Sequence, residues 1–231
     1  MANYVLLHGA GSDAWFWHRV IPELEARGHE VLAPELPVDD DSAKLADYVE
    51  VVARAVGERA GVVVVAQSLA GFIAPLLCER LPVELLVLLA AMVPAPGESI
   101  GEWWGDTGSG PARRAMDERE GRDPDAEFDP LAVFLHDLPP EVLAEALQRP
   151  QKGQSDAVFA DPWPLDAWPD VPTRFLLCRQ DRFFPAEFQR RVVRERLGFE
   201  PDEMDGGHLA ALSRPRELVE RLEAYRTEIG S

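Results

Sequence analysis

Residues 62–65 are four consecutive valines, inside the stretch VVVVAQSLAG. Successive side chains of a strand point to opposite faces, so an unbroken run of β-branched residues wants apolar cover on both sides. Sheets covered on both faces are typically parallel and sandwiched between helices. The continuation is equally informative: Ala66-Gln67-Ser68-Leu69-Ala70-Gly71 leads into the helix-like FIAPLLCERL. A serine with small residues two before and two after it suits a tight strand-to-helix turn, where larger side chains would meet neighbouring backbone. That is the steric logic of the nucleophile elbow G-x-S-x-G, kept here with Ala66 and Ala70 in the glycine positions. The plainer alternative is a serine that caps the next helix.

Short apolar runs recur along the chain and alternate with amphipathic segments. Strands are expected at residues 4–7, 30–33, 62–66, 85–90, 173–178 and 199–204. Helices are expected near 14–27, 42–57, 69–80, 185–197 and 214–228, the first of them stopped by Gly28. This alternation predicts an α/β fold with a mostly parallel six-stranded sheet flanked by helices. A length of 231 residues and an apolar content of 46% suit one such domain with a small insertion.

The rhythm breaks between Val93 and Pro172. This interval far exceeds an ordinary strand-to-helix connection, and it holds four of the six tryptophans without a convincing strand. Helical pieces are expected near 111–120 and 140–147. Trp103, Trp104, Phe134, Trp163 and Trp168 are too many large apolar groups for a solvated loop, which favours a helical cap over the C-terminal edge of the sheet. The expected organisation is a core of residues 1–92 and 173–231 with a cap insertion at 93–172, after the fourth strand.

A serine hydroxyl becomes a useful nucleophile when a base, an orienting acid and an oxyanion site surround it. In the order Ser, Asp, His, the acid follows a late strand and the base a still later one. The run TRFLLC is followed at once by RQDRFFP, which puts Asp181 just past a strand end. The next strand leads into DGGHLAALSRP, where two glycines let the loop carry His208 back over the sheet edge. The first strand ends in His8-Gly9-Ala10-Gly11, a candidate oxyanion loop. The amide of Leu69, directly after the serine, is the other donor in this architecture.

With VLLHGAG and the aromatic cluster Trp15-Phe16-Trp17, GHEVLAPELP, AQSLAG, LLAAMVP, RQDRFFP and GGHLAALSRP in this order, the chain resembles the α/β-hydrolase superfamily. It looks most like the small-cap esterases that include plant methylesterases and hydroxynitrile lyases. The resemblance spans nearly the whole chain. It implies a serine esterase with Ser68 as nucleophile, His208 as base, Asp181 as acid and Ala10 as the second oxyanion amide, working without cofactor or metal. The departures are Ala66 for glycine and Gln67 where histidine commonly precedes the nucleophile. Related lyases carry threonine in place of Gly9 and lysine in place of Leu209, so a C–C lyase ranks below an esterase. A slow-turnover receptor that keeps the triad is a further alternative.

Rival residues have weaker positions. Asp205 sits three residues before His208 and Asp202 toward the charged end of the last strand; both are expected in solvent, and the stretch after the fourth strand, AAMVPAP, holds no carboxylate. His8 is expected to fix its turn. His18, His29 and His136 are assigned to the surface or cap, with His136 the one that touches substrate if any does. The candidates for the substrate pocket are Gly9, Trp103, Trp104, Phe134, His136, Trp163 and Leu209.

A net charge of −18 repels phosphate backbones and anionic lipid, which argues against nucleic acid or membrane as partners. Cys78 and Cys178 belong to no C-x-x-C pair, the five histidines show no H-x-x-x-H spacing, and the start MANYVLLHGAG has no signal-peptide character. Free thiols, no metal and a cytoplasmic location are therefore expected. The acidic surface and the cap arginines, read as a solvated face, predict small, neutral, largely apolar ester substrates.

Overall fold

The computed structural model describes residues 1–229; the last two residues of the expected core segment lie outside them. Six strands form one sheet: β1 Asn3–Leu7, β2 Glu30–Leu32, β3 Val62–Gln67, β4 Val83–Leu89, β5 Thr173–Cys178 and β6 Asp202–Met204. Their order is β2-β1-β3-β4-β5-β6, and every neighbouring pair is parallel. The valine run is β3, near the middle of the sheet. Val62, Val64 and Ala66 pack into one hydrophobic cluster, whereas Val63 and Val65 pack into the other. The same alternation runs through Leu86 and Leu88 against Val87 and Leu89 of β4, so the two clusters are the two faces of the sheet. Burying each such valine or leucine stabilises the fold by about 1.5–3 kcal/mol.

Eleven α-helices lie among the described residues. Three come before β4: α1 Ile21–Glu25, α2 Leu45–Val56 and α3 Ala74–Leu77. Five connect β4 to β5: α4 Ile100–Thr107, α5 Ser109–Arg119, α6 Pro130–Phe134, α7 Pro140–Gln148 and α8 Asp156–Ala160. The last three are α9 Ala186–Leu197, α10 Ala210–Ser213 and α11 Pro215–Ile229. Helices α2, α3 and α9 cover one face of the sheet, and α1, α10 and α11 the other. None of the described helices is long and apolar enough to cross a membrane.

Two expected helices are broken, and proline is the cause in both. The helix near 14–27 is a 3₁₀ turn, Ala14–Trp17, followed by the short α1 with Pro22 in its first turn. The helix near 69–80 is likewise a 3₁₀ turn, Ser68–Phe72, followed by α3 with Pro75 in its first turn. Proline has no N–H for a continuing ladder and is accepted where a helix begins. Strand β6 starts at Asp202, after Pro201, and β4 ends at Leu89 because Ala90 turns out of the strand with φ 42°. Between β4 and β5, α5 and α7 match the expected helical pieces, but α4, α6 and α8 add three more. Helix α4 had a readable signal: Ser99 Oγ accepts from the Glu102 amide at 3.2 Å, and Glu102 accepts from the Ser99 amide at 2.9 Å. This is the capping box S-x-x-E.

Candidate active site

Paired in parallel, β1, β3, β4, β5 and β6 all open their C-terminal ends at one edge of the sheet, and the chemistry-bearing loops emerge there. Ser68 follows β3 directly and takes φ 53°, the left-handed region that side chains other than glycine rarely adopt. Such strain costs on the order of 1–3 kcal/mol, and packing has to hold it. Here the Ser68 carbonyl accepts from the Met92 amide at 2.9 Å, and Ala66 and Ala70 are fully buried. The closest backbone approach falls one residue later than the motif suggests: a Cβ on Gly71 would overlap the Met92 carbonyl oxygen.

Three side chains meet at the elbow. His208 Nε2 lies 3.0 Å from Ser68 Oγ, and His208 Nδ1 lies 2.8 Å from Asp181 Oδ2. Ser68, Asp181 and His208 are only 7%, 1% and 2% exposed. A carboxylate accepts hydrogen bonds, so Nδ1 carries the proton and donates it, which leaves Nε2 free to accept from the serine hydroxyl. The acid is itself pinned. Asp181 Oδ1 accepts from the amides of Phe183 at 2.8 Å and Phe184 at 2.9 Å, and Gln189 Nε2 donates to Oδ2 at 3.4 Å. Gln189 had no sequence signal, because it reaches the site from α9.

The rival groups are engaged elsewhere. Asp205 pairs with Arg179 at 2.8 Å in solvent. His8 Nε2 accepts from the Leu36 amide at 3.3 Å and its Nδ1 lies 3.0 Å from the Gly9 carbonyl, so it fixes the turn as expected. Burial pushes the His8 pKa down, which keeps the ring neutral. His18 stacks on Trp15, and His29 bonds Glu223. Among the described residues no group of three or more His, Cys, Asp or Glu side chains could hold a metal ion.

Over the serine lies a cleft of about 390 Å³, a size typical of small-ligand sites. Ala10 and Leu69 line it together with Ser68 and His208. Leu69 is the second residue of a helical turn, where amides have no intrahelical acceptor. Of the pocket candidates, Trp104, Phe134 and Leu209 line the cleft, joined by Trp15, Phe16, Met92, Phe159, Phe183 and Leu212.

Gly9, Trp103, His136 and Trp163 are not in that lining. Trp103 and Trp163 are fully buried, and their indole N–H groups donate to the carbonyls of Val93 at 3.0 Å and Phe72 at 3.2 Å. Trp163 thereby ties the β4–β5 connection to the turn after the serine, and Trp103 packs against Phe184 and Phe188. A Cβ on Gly9 would run into the Gln67 side chain and reach 2.9 Å from Ser68 Cβ, so Gly9 is a close-packing position behind the elbow. Gln67 also donates from Nε2 to the His208 carbonyl at 3.2 Å. His136 faces Gly207, on a smaller cavity bordered by Asp181.

The side chains lining the cleft include no Asp, Glu, Lys or Arg among the described residues, although the protein carries a charge of −18. The arginines of the β4–β5 connection named above are occupied: Arg114 by Asp125, Arg119 by Glu187, Arg122 by Asp117 and Glu120, and Arg113 by the Phe128 ring.

The sequence model of the alpha/beta hydrolase family matches residues 4–221. Probable esterase PIR7A of Oryza sativa subsp. indica is 28% identical, covering 95% of each chain. Methyl jasmonate esterase 1 of Vitis vinifera is 27% identical, covering 98% of this chain and 96% of that one. The crystal structure of polyneuridine aldehyde esterase shares the fold with a TM-score of 0.77 at 22% identity, covering 97% of this chain and 98% of that one. A strained serine elbow, the acid and histidine at the expected strand ends, and a family match over nearly the whole length agree. The chain belongs to the alpha/beta hydrolase family.

Proposed function

We propose that the protein is a serine hydrolase cleaving small, neutral, largely apolar carboxylic esters. The observation that carries this reading is the Ser68–His208–Asp181 relay, at 3.0 and 2.8 Å, opening into a cleft walled by uncharged side chains. The relatives named as esterases support the reaction class.

In the proposed cycle His208 Nε2 takes the proton of Ser68 as Oγ attacks the ester carbonyl. The carbonyl π pair moves onto oxygen, where the amides of Ala10 and Leu69 stabilise it. Collapse breaks the bond to the alkoxy group, which receives the proton from His208 and leaves as the alcohol. Water, deprotonated by the same nitrogen, then adds to the acyl carbonyl; the bond to Ser68 Oγ breaks, the acid leaves, and His208 returns the proton to Oγ. Asp181 holds the tautomer and stabilises the imidazolium throughout. A lyase reading gains no support: the position a threonine would take is crowded by Gln67, and Leu209 rather than a cation lines the cleft. We read residues 93–172 as the cap that shapes this cleft. The two free thiols favour a cytoplasmic location, testable by fractionation.

The test is covalent labelling. A fluorophosphonate should modify one peptide, at Ser68, and Ser68→Ala should abolish ester hydrolysis while the protein stays folded. Labelling at another serine, or hydrolysis surviving in Ser68→Ala, overturns the assignment.

A further inference from the structure

We propose that Asp137, on the turn between α6 and α7, is a positioning residue for His208 and makes the cap part of the catalytic apparatus. The inference rests on the relay proposed above. The loop that carries the histidine is Asp205-Gly206-Gly207-His208, and its two glycines make it intrinsically pliable. Three consecutive residues of that loop are tethered from three directions. Gly206 is held by Gln180 of the acid loop, whose side chain accepts its amide and whose own amide donates to the Gly206 carbonyl at 3.0 Å. The His208 carbonyl is held by Gln67 of the elbow at 3.2 Å. Between them the Gly207 amide donates to Asp137 Oδ2 at 2.7 Å, and this tether comes from the cap.

The seat is close-fitting. A Cβ on Gly207 would come within 2.8 Å of Asp137 Oδ1 and 2.9 Å of His136 Nε2, so the bare glycine backbone lies in a cradle formed by these two side chains. Asp137 Oδ1 and His136 Nε2 are both buried without a hydrogen-bond partner. A buried carboxylate oxygen left unpaired costs stability. Among the described residues, the hydrogen bond from the Gly207 amide is thus the one this carboxylate makes. Meanwhile Asp137 does not line the substrate cleft. Its effect on turnover therefore runs through the placement of His208 Nε2 opposite Ser68 Oγ. A misplacement of about 1 Å can cost on the order of 100-fold in rate.

The experiment compares Asp137→Ala, Asp137→Asn and Gly207→Ala with the wild type on one neutral ester, together with the rate of fluorophosphonate labelling at Ser68. Asp137→Ala should lower kcat and the labelling rate about 10- to 100-fold, with KM within about twofold. Asp137→Asn keeps an acceptor for the Gly207 amide and should retain kcat within about threefold, since hydrogen bonding rather than charge is what matters. Gly207→Ala, which pushes against the cradle, should lose kcat in the same way and keeps the test open if Asp137→Ala does not fold. Wild-type kcat and labelling in Asp137→Ala or Gly207→Ala, or an Asp137→Asn variant as impaired as Asp137→Ala, overturns the proposal. If the wild type itself is not labelled at Ser68, the relay reading fails and this proposal falls with it. Normal wild-type labelling with no effect of the variants removes the positioning role alone.

Discussion

Asp181 shows how far one side chain's role is set by its neighbours. Its Oδ1 already accepts two backbone amides, from Phe183 and Phe184, so that corner of the carboxylate must be an oxygen. In Asp181→Asn the amide oxygen is therefore forced to face those N–H groups, and the NH₂ group is turned onto His208 Nδ1. The imidazole must then accept at Nδ1 and carry its proton on Nε2, where it can no longer take the serine proton. We expect kcat to fall by on the order of 10⁴, as the same exchange does in a serine protease, with the melting temperature little changed. Steady-state kinetics on purified Asp181→Asn decides it: a loss below tenfold would point to another acid. Gln67 departs from the common histidine, yet its buried amide spans Gly9 and the His208 carbonyl, which gives the substitution a structural use.

At the level of elements, α11 is tied to the sheet by a polar knot centred on Glu223. Tyr4 of β1 donates to its Oε1 at 2.7 Å, and His29 Nε2 donates to its Oε2 at 3.0 Å because His29 Nδ1 already accepts the Ala2 amide at 3.1 Å. Burial would push this carboxyl up, but hydrogen bonds from Arg226, Tyr4 and His29 outweigh burial and hold its pKa at about 2, below the usual 4.5. A carboxyl with a depressed folded-state pKa stabilises the protein above its unfolded value, and that contribution disappears as the pH falls through the folded one. Glu223→Gln should therefore melt below the wild type at neutral pH. The gap should narrow between about pH 4.5 and about pH 2. Melting curves of the two proteins across that window test the idea, and a gap that stays constant with pH would count against it. The broken helices belong to this scale too: Pro22 and Pro75 each let a new helix begin but not an old one continue.

Across the whole molecule, charge and apolar surface are segregated. The charge of −18 is spread over a surface laced with arginine–carboxylate pairs, such as Arg119–Glu187 and Arg194–Glu200. The cleft, by contrast, is lined by aromatic and aliphatic groups with a few neutral polar atoms. An anionic ester would meet a repulsive field on approach and no cation inside. We expect a neutral ester to be preferred over its analogue bearing a free carboxylate, with the difference in kcat/KM shrinking as salt screens the surface. A carboxylate analogue that wins by tenfold, about 1.4 kcal/mol of transition-state binding, would sink the apolar-cleft reading.

The sheet, the elbow and the order of serine, acid and base were legible in the chain because their signals are local. A valine run, small flanks around Ser68, and carboxylate or imidazole just past a strand end are constraints between sequence neighbours. Once the strands pair in parallel, those neighbours arrive at one edge with no further information needed. The tertiary structure alone decided which aromatics are core and which are wall. Trp103 and Trp104 are adjacent in sequence, yet one is buried in the core beside Phe184 and Phe188 while the other lines the cleft. The same holds for Asp137, one of 41 acidic residues, and for Gln189. Their roles arise from contacts with Gly207 and Asp181, and such contacts between distant segments exist only after the β4–β5 connection and α9 have packed.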